Sequence, residues 1–383
     1  MSLSKNVILP GQTIGIIGGG QLGRMMALAA RAQGFRIAVL DPEPDSPCGQ
    51  VADYKIIGAY EDQKAIEQLA DISDVITYEF ENIDAEALKS IRDRANVPQG
   101  TDLLEVTKDR IEEKQAIQKA GIDVAPYAVI NSILDIYEAL KTLDYPAVLK
   151  TSRGGYDGKG QLVIKSEKDI AEADSLLNNG PCVLEKWMPF IKEVSVIVSR
   201  NTDGETAIFP VAENIHVNNI LHQTIVPARI SEAARDNALK AALKLVESLK
   251  MVGTLAVEMF VMEDETIYIN ELAPRPHNSG HYTIDACETS QFEQHIRAIC
   301  NWPLGSTKLL KPAVMVNILG EHIPSLLEKV PTLPNWKIHL YGKTLAKIGR
   351  KMGHVTILRD TVEDAILAAD DSQIWDSVIL IGG

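Results

Sequence analysis

The stretch "SRGGYDGKGQ", residues 152–161, decides how the rest of the sequence reads. Four of its ten residues are glycine, and Lys159 sits among them. Apolar runs at 146–151 and 161–165 predict two strands joined by this loop. It is not a Walker A loop: Gly154 to Gly158 is one residue short, and Gly160 stands where Ser or Thr is required. Glycines let backbone N–H groups approach phosphate oxygens with no Cβ in the way, so the loop suits a lid over a nucleotide. A floppy hairpin tip would explain the glycines. It would not explain Lys150, which ends the strand "PAVLK" beside them.

Upstream, "IGIIGGGQLGRM" (Ile14 to Met25) places Gly18, Gly20 and Gly23 in a G-x-G-x-x-G pattern after an apolar run. Strands are predicted at 13–17, 36–40 and 74–78, with a helix over 21–33. Asp41 ends the second strand, about where a ribose-binding acid falls in a dinucleotide fold. Such a loop binds many phosphates through backbone N–H groups and the helix N-terminus. A nicotinamide enzyme and a holder of some other phosphate therefore both remain open at this point. The third strand runs into "YEFENI" (Tyr78 to Ile83), and open α/β sheets bind ligands where strands end.

Downstream, a helix over 108–120 stops at Gly121, and strands are predicted near 182–186 and 193–199. A helix over Ser231–Lys250 sets Leu239, Ala242, Leu243, Val246 and Leu249 on one face, with Ser231 as N-cap. Strands 254–261 and 266–271 form a hairpin around "MEDE". Glu258 interrupts its apolar first strand, and Asn270–Glu271 close the second. A carboxylate among apolar neighbours is costly unless paired or metal-bound. The turn brings Glu258 opposite Asn270 or Glu271, and strand parity leaves the choice open because a bulge can intervene. These oxygens are hard ligands suited to Mg²⁺ on nucleotide phosphates, although ordinary ion pairs also occupy sheet rims. "APRPHNSGH" (Ala273 to His281) follows at once. Its prolines forbid a regular helix, so His277 and His281 are not a helical zinc pair. Arg275 offers a planar donor fork for carboxylate, bicarbonate or phosphate. Near the C-terminus, "YGKTLAKIGRKMGH" (Tyr341 to His354) gathers Lys343, Lys347, Arg350 and Lys351 in an otherwise acidic chain, either as a solvated face or as a grip on a phosphate ester.

The 383 residues carry a net charge of −14, which argues against nucleic acid as a partner. The length suggests two or three domains. Cys48, Cys182, Cys287 and Cys300 are scattered without a C-x-x-C pair and read as buried thiols of a reducing compartment. With no leader pattern and no apolar run of membrane-spanning length, the expectation is a soluble, cytoplasmic protein without a membrane partner.

The order of these parts resembles the ATP-grasp superfamily over essentially the whole chain. More narrowly, "GGGQLGRM", "YEFENI", "GGYDGKGQ", "NELAPRPHNSGH" and "GRKMGH" resemble the N5-carboxyaminoimidazole ribonucleotide synthetase family of purine biosynthesis. The implied architecture is multidomain, α/β and α+β. An N-terminal open α/β (Rossmann-like) pre-ATP-grasp domain would span 1–103. An ATP-grasp domain would span 104–305, its glycine-rich lid at about 120–185, and a small C-terminal β-rich domain 306–383. The implied reaction joins ATP, bicarbonate and 5-aminoimidazole ribonucleotide to give ADP, phosphate and the N5-carboxy product through carboxyphosphate. The same resemblance implies that Arg110, Lys150, the loop Gly155, Tyr156, Asp157, Gly158, Lys159, Gly160 and Gln161, then Glu185, Lys186, Trp187, Met188, Glu193 and His216 contact ATP. Lys186 and Met188 would meet adenine through their backbone, and Glu193 the ribose. Glu258 and Glu271 would hold Mg²⁺, or Mn²⁺ in its place, with Asn270 at the phosphates. Glu79, Tyr156, Asp157, Arg275, His277 and Lys343 would form the catalytic side, with Asp157 and His277 as candidates for moving protons. Gly20, Gln21, Leu22, Arg275, Lys343 and Arg350 would bind the ribonucleotide, and the assembly would be a homodimer. The family usually reads Arg-Pro where this chain has Lys347–Ile348, so a single ammonium replaces a bidentate fork there. Three rivals stand beside this reading: an ATP-grasp ligase using formate or an amino acid, a nicotinamide oxidoreductase, and a nucleotide sensor without turnover.

Overall fold

The structure is a computed structural model that describes residues 7–375 except 82, 84, 92, 93 and 156–158. Tyr156, Asp157 and Gly158 of the expected lid thus lie outside the described residues.

Its first sheet is parallel, in the spatial order Tyr54–Ile57, Arg36–Asp41, Thr13–Ile17, Val75–Tyr78. Thr13–Ile17 is buried along its whole length, as expected of a central strand covered on both faces. The strand order reverses beside it, so the crevice at the carboxyl ends of Thr13–Ile17 and Val75–Tyr78 is a topological switch point. Gly18–Gly20 leave one strand there and Glu79 the other.

A second, antiparallel sheet runs Tyr127–Ile130, Cys182–Lys186, Ala147–Thr151, Gln161–Ile164. The helix Ile133–Leu143 buries Ile136, Leu140 and Leu143 against it, which makes this sheet a small unit with its own core.

The third sheet has nine strands. From one edge it runs Ile267–Ala273, Gly253–Val261, Lys192–Arg200, Ala212–Val217, Ile220–Val226, Ala313–Leu319, Lys351–Leu358, Trp336–Leu340, with Thr206–Ile208 paired to Lys192–Arg200. The helix Glu232–Leu249 packs on it, capped by Ser231 Oγ, which accepts from the Ala234 N–H at 3.0 Å. Its deepest residues include Ala238, Ala242, Leu245 and Val246, whereas Leu239, Leu243 and Leu249 pack at the margin. The buried stripe is therefore rotated from the expected one, because alanines sit closest to the sheet.

The strands of the small C-terminal region join the large sheet. Ala313–Leu319 pairs with Ile220–Val226, so the C-terminal strands prolong the large sheet without a break. The helix Gln291–Ile299 ties the whole together. It buries Phe292, Ile296 and Ile299 in the same cluster as Ile14, Met25 and Met26 of the first domain.

Candidate active site

All three sheets face one cleft of about 1120 Å³. Every expected site residue that falls among the described residues lines it. On one side lie the first glycine loop and Glu79, on another the lid with Lys150 and Lys159, and on the floor the Glu258 hairpin.

The hairpin register answers the question that strand parity left open. Glu258 pairs directly with Glu271, and Met259 with Ile269, so Asn270 is the extra residue of a bulge. In a regular strand Asn270 and Glu271 would face opposite ways, whereas both line the cleft here. Burial pushes the Glu258 carboxyl up, to about 8, and the neighbouring Glu271 adds to it. Burial would raise Glu271 too, but the Arg110 guanidinium, 3.3 Å from its Oε2, holds it down. Asn270 Oδ1 is buried without a hydrogen-bond partner. Two adjacent carboxylates and an orphaned amide oxygen are a donor set that fits a hard divalent cation. No cluster of three His, Cys, Asp or Glu residues able to hold a metal occurs among the described residues.

Lys150 Nζ lies 3.0 Å from Glu185 Oε2. On the other oxygen sits a residue that was not anticipated, Lys114, at 3.2 Å and only 1% exposed. Its helix, Arg110–Lys119, carries charges around its circumference, so no apolar stripe pointed to a buried lysine. Burial alone would raise the Glu185 carboxyl, but Lys150 and Lys114 hold it down to about 2. Close by, His216 Nδ1 meets Glu193 Oε2 at 2.6 Å, and this contact overcomes burial to raise the imidazole above its usual range. Phe190 and Phe260 stack at 4.5 Å on the same wall.

Gly155 and Gly160 close the base of the lid. A Cβ on Gly155 would come within 2.9 Å of the Lys159 carbonyl oxygen, and Gly160 has φ of +72°. Gly155→Val is therefore expected to raise the KM for ATP about tenfold or more, roughly 1.4 kcal/mol, with little change in melting temperature. Wild-type kcat and KM in that variant would remove the lid from the nucleotide site.

The first glycine loop is already engaged by the chain's own carboxylates. Glu79 accepts from the Gly20 N–H and, at 2.7 Å, from the Gly23 N–H. Asp41 accepts from the Gly19 N–H and from the Tyr60 hydroxyl, each at 2.6 Å. Glu79 thus caps the helix where a dinucleotide's pyrophosphate would sit, and Asp41 is spent on the loop itself. Burial raises the Glu79 carboxyl even so. Facing it, Arg275 Nε lies 2.8 Å from Glu81, and His277 Nε2 lies 3.1 Å from Glu258. Burial drives the His277 imidazole well below its usual range, with Arg275 adding to the effect. Lys343 donates to the Lys351 carbonyl at 2.7 Å, and burial lowers its ammonium to about 8.

Comparison with known proteins agrees with this arrangement part by part. The ATP-grasp domain family matches residues 115–292, the ribonucleotide synthetase preATP-grasp domain 11–108, and the phosphoribosylaminoimidazole carboxylase C-terminal domain 313–367. The N5-carboxyaminoimidazole ribonucleotide synthase of Bacillus subtilis is 55% identical over 95% of this chain and 96% of its own length. The ADP complex of the Staphylococcus aureus N5-carboxyaminoimidazole synthetase superimposes with a TM-score of 0.92 at 45% identity, covering 96% of this chain and 98% of that one. The Aspergillus clavatus enzyme, solved with ADP and 5-aminoimidazole ribonucleotide, gives a TM-score of 0.90 at 33% identity, covering 96% and 99%.

Proposed function

The chain belongs to the N5-carboxyaminoimidazole ribonucleotide synthase family and is an ATP-grasp ligase, and from that premise we propose how its cleft divides the work. The reaction is the ATP-dependent carboxylation of 5-aminoimidazole ribonucleotide to its N5-carboxy derivative in purine biosynthesis. One observation carries the division of the site. The switch point of the first sheet and the glycine lid open onto the same cleft, with Glu258, Glu271 and the Arg275–His277 loop between them.

ATP lies under the lid. Lys150, Lys159 and Arg110 face its phosphates, the backbone of Lys186 and Met188 its adenine, and Glu193 with His216 its ribose. Gly155, Gly160 and Gln161 let the lid backbone close on the phosphates. Glu258, Glu271 and Asn270 would hold Mg²⁺ or Mn²⁺, which supplies charge neutralisation on the transferring phosphoryl group. The ribonucleotide enters from the first domain. Its phosphate meets the first-turn amides of Gln21 and Leu22, which have no intrahelical partner, together with Lys343 and Arg350. Glu79 then serves two ends: it fixes the glycine loop and faces the substrate.

Arg275 holds bicarbonate in line with the γ-phosphate. A bicarbonate oxygen attacks phosphorus, the bond to the β-phosphate oxygen breaks, and ADP leaves with carboxyphosphate formed. The exocyclic amine of the ribonucleotide takes the activated carbon, phosphate departs, and the amine loses a proton, for which Asp157 is the assigned acceptor. Closure of the lid keeps water from the labile intermediate. We propose the cytoplasm as its location and a homodimer as its assembly. No helix among the described residues is long and apolar enough to cross a membrane.

ADP release tests the reading. It is expected only when bicarbonate and 5-aminoimidazole ribonucleotide are both present. Equal release with formate or glycine in place of bicarbonate would move the chain to a different acyl donor.

A further inference from the structure

We propose that Ser279 and Gln291 are positioning residues that lock His277 as a neutral imidazole with its proton on Nε2, making the ring a hydrogen-bond donor to Glu258 and not a base. The proposal rests on the reading above only in placing Glu258 beside the phosphates. The tautomer follows from geometry alone.

A backbone N–H can only donate, and that of Ser279 is directed at His277 Nδ1 at 3.3 Å. Ser279 Oγ lies 2.9 Å from the same nitrogen. That oxygen in turn accepts from Ser195 Oγ at 2.8 Å, which leaves its own hydrogen for Nδ1. A ring nitrogen that accepts presents a lone pair, so the single proton of the neutral ring is on Nε2. Nε2 faces Glu258 Oε1 at 3.1 Å. Donation therefore runs one way, from Ser195 through Ser279 and His277 to Oε1 of Glu258. Ser195 and Ser279 are both fully buried, so bulk water does not compete for either hydroxyl.

Gln291 fixes the backbone that carries the ring. Its Oε1 accepts from the His277 N–H at 2.9 Å, and its Nε2 donates to the His277 carbonyl at 2.7 Å. It is also fully buried, at the start of the helix that ties the large sheet to the first domain. Gly280 is small because a Cβ there would lie 2.3 Å from Gln291 Oε1. Held this way, His277 cannot take a proton at Nε2 from bicarbonate or from the amine. Its work is to hold one oxygen of Glu258 in place. Proton transfer then falls to another group of the cleft.

The test uses the full chain with ¹⁵N-labelled histidine, free of nucleotide, with His277 assigned by loss of its signals in His277→Gln. The wild type is expected to show a pyridine-type Nδ1 and a pyrrole-type Nε2. The reverse pattern, or an imidazolium at neutral pH, would overturn the proposal. Ser279→Ala is expected to lower kcat about tenfold, the scale of one buried hydrogen bond, with the KM for ATP unchanged. Ser195→Ala, which removes only the outer donor, is expected to stay within about twofold. Equal losses in the two variants would mean simple packing and would also overturn it. If Ser279→Ala fails to fold, the wild-type spectrum decides. A wild-type chain that binds nucleotide but does not carboxylate the ribonucleotide would sink the functional reading and leave the spectrum as it is.

Discussion

Glu258→Gln is expected to cut turnover about a thousandfold or more while raising the stability of the metal-free protein. The loss follows from the proposed metal site, where charge neutralisation at the phosphates is worth several kcal/mol. The gain follows from the pKa. Burial and Glu271 push the Glu258 carboxyl up to about 8 from an ordinary 4.5. A carboxyl raised on folding favours the folded state fully below its unfolded value, and that contribution is lost as pH rises from 4.5 through about 8. At pH 7 the amide is therefore better tolerated than the acid, by on the order of 1–3 kcal/mol. Gln Oε1 can still accept from His277, so the local geometry is kept. Glu271→Gln should lose activity as severely but gain no stability, because it gives up Arg110. Melting in EDTA and ADP release in excess magnesium measure the two effects. Near-normal turnover in both variants would remove the metal assignment.

Glu185→Gln carries the largest expected cost to stability, about 3–5 kcal/mol. Its carboxylate is the shared counter-ion of Lys114 and Lys150, and its side chain is 4% exposed. Removing it leaves two largely buried ammonium groups without their shared counter-ion. Glu185 is held down to about 2 despite burial, so its stabilisation is present above pH 4.5 and lost as pH falls toward 2. Lys114 is pushed the other way: burial lowers its ammonium and the neighbouring Lys150 adds to it, against the partial offset of Glu185 and Glu113. Lys114→Met should accordingly be neutral or stabilising, since it removes the less well compensated charge. Urea unfolding of both variants at pH 7 checks the pair. A destabilisation by Lys114→Met as large as that by Glu185→Gln would show that both lysines are fully compensated.

The periodic signals were legible in the sequence because they are local. The two strands flanking the glycine loop, the capped helix after Ser231 and the two carboxylate-bearing strands all fall where their patterns place them. What escaped depends on partners distant along the chain. Nothing in "GGGQLGRM" distinguishes a dinucleotide loop from this one. The difference is Glu79, which comes from the neighbouring strand and caps the helix. The bulge at Asn270 has no signature of its own, so pattern alone could not decide which residue faces Glu258. Lys114 was hidden because the carboxylate it meets, Glu185, lies far along the chain on a strand of the second sheet. The strands Ala212–Val217 and Ile220–Val226 carry Glu213, His216, His222 and Gln223, and their polar residues obscure the alternation that marks a strand. Glu213 is buried there only because Lys192 and Arg229 both bind it.

The transfer of oxygen from bicarbonate to phosphate tests the chemistry of the site most directly. Arg275 lines the cleft close enough to Glu258 and Glu271 to act on both charges, and the proposed role is to align bicarbonate with the γ-phosphate. Such positioning can supply roughly 7–11 kcal/mol of a barrier. With ¹⁸O-labelled bicarbonate, used quickly to limit exchange with water, the phosphate formed should carry one labelled oxygen in step with ADP. Arg275→Ala should slow that transfer far more than it weakens ATP binding. Unlabelled phosphate, from a reaction shown to consume labelled bicarbonate, would mean that water and not bicarbonate attacks ATP, and carboxyphosphate would be ruled out.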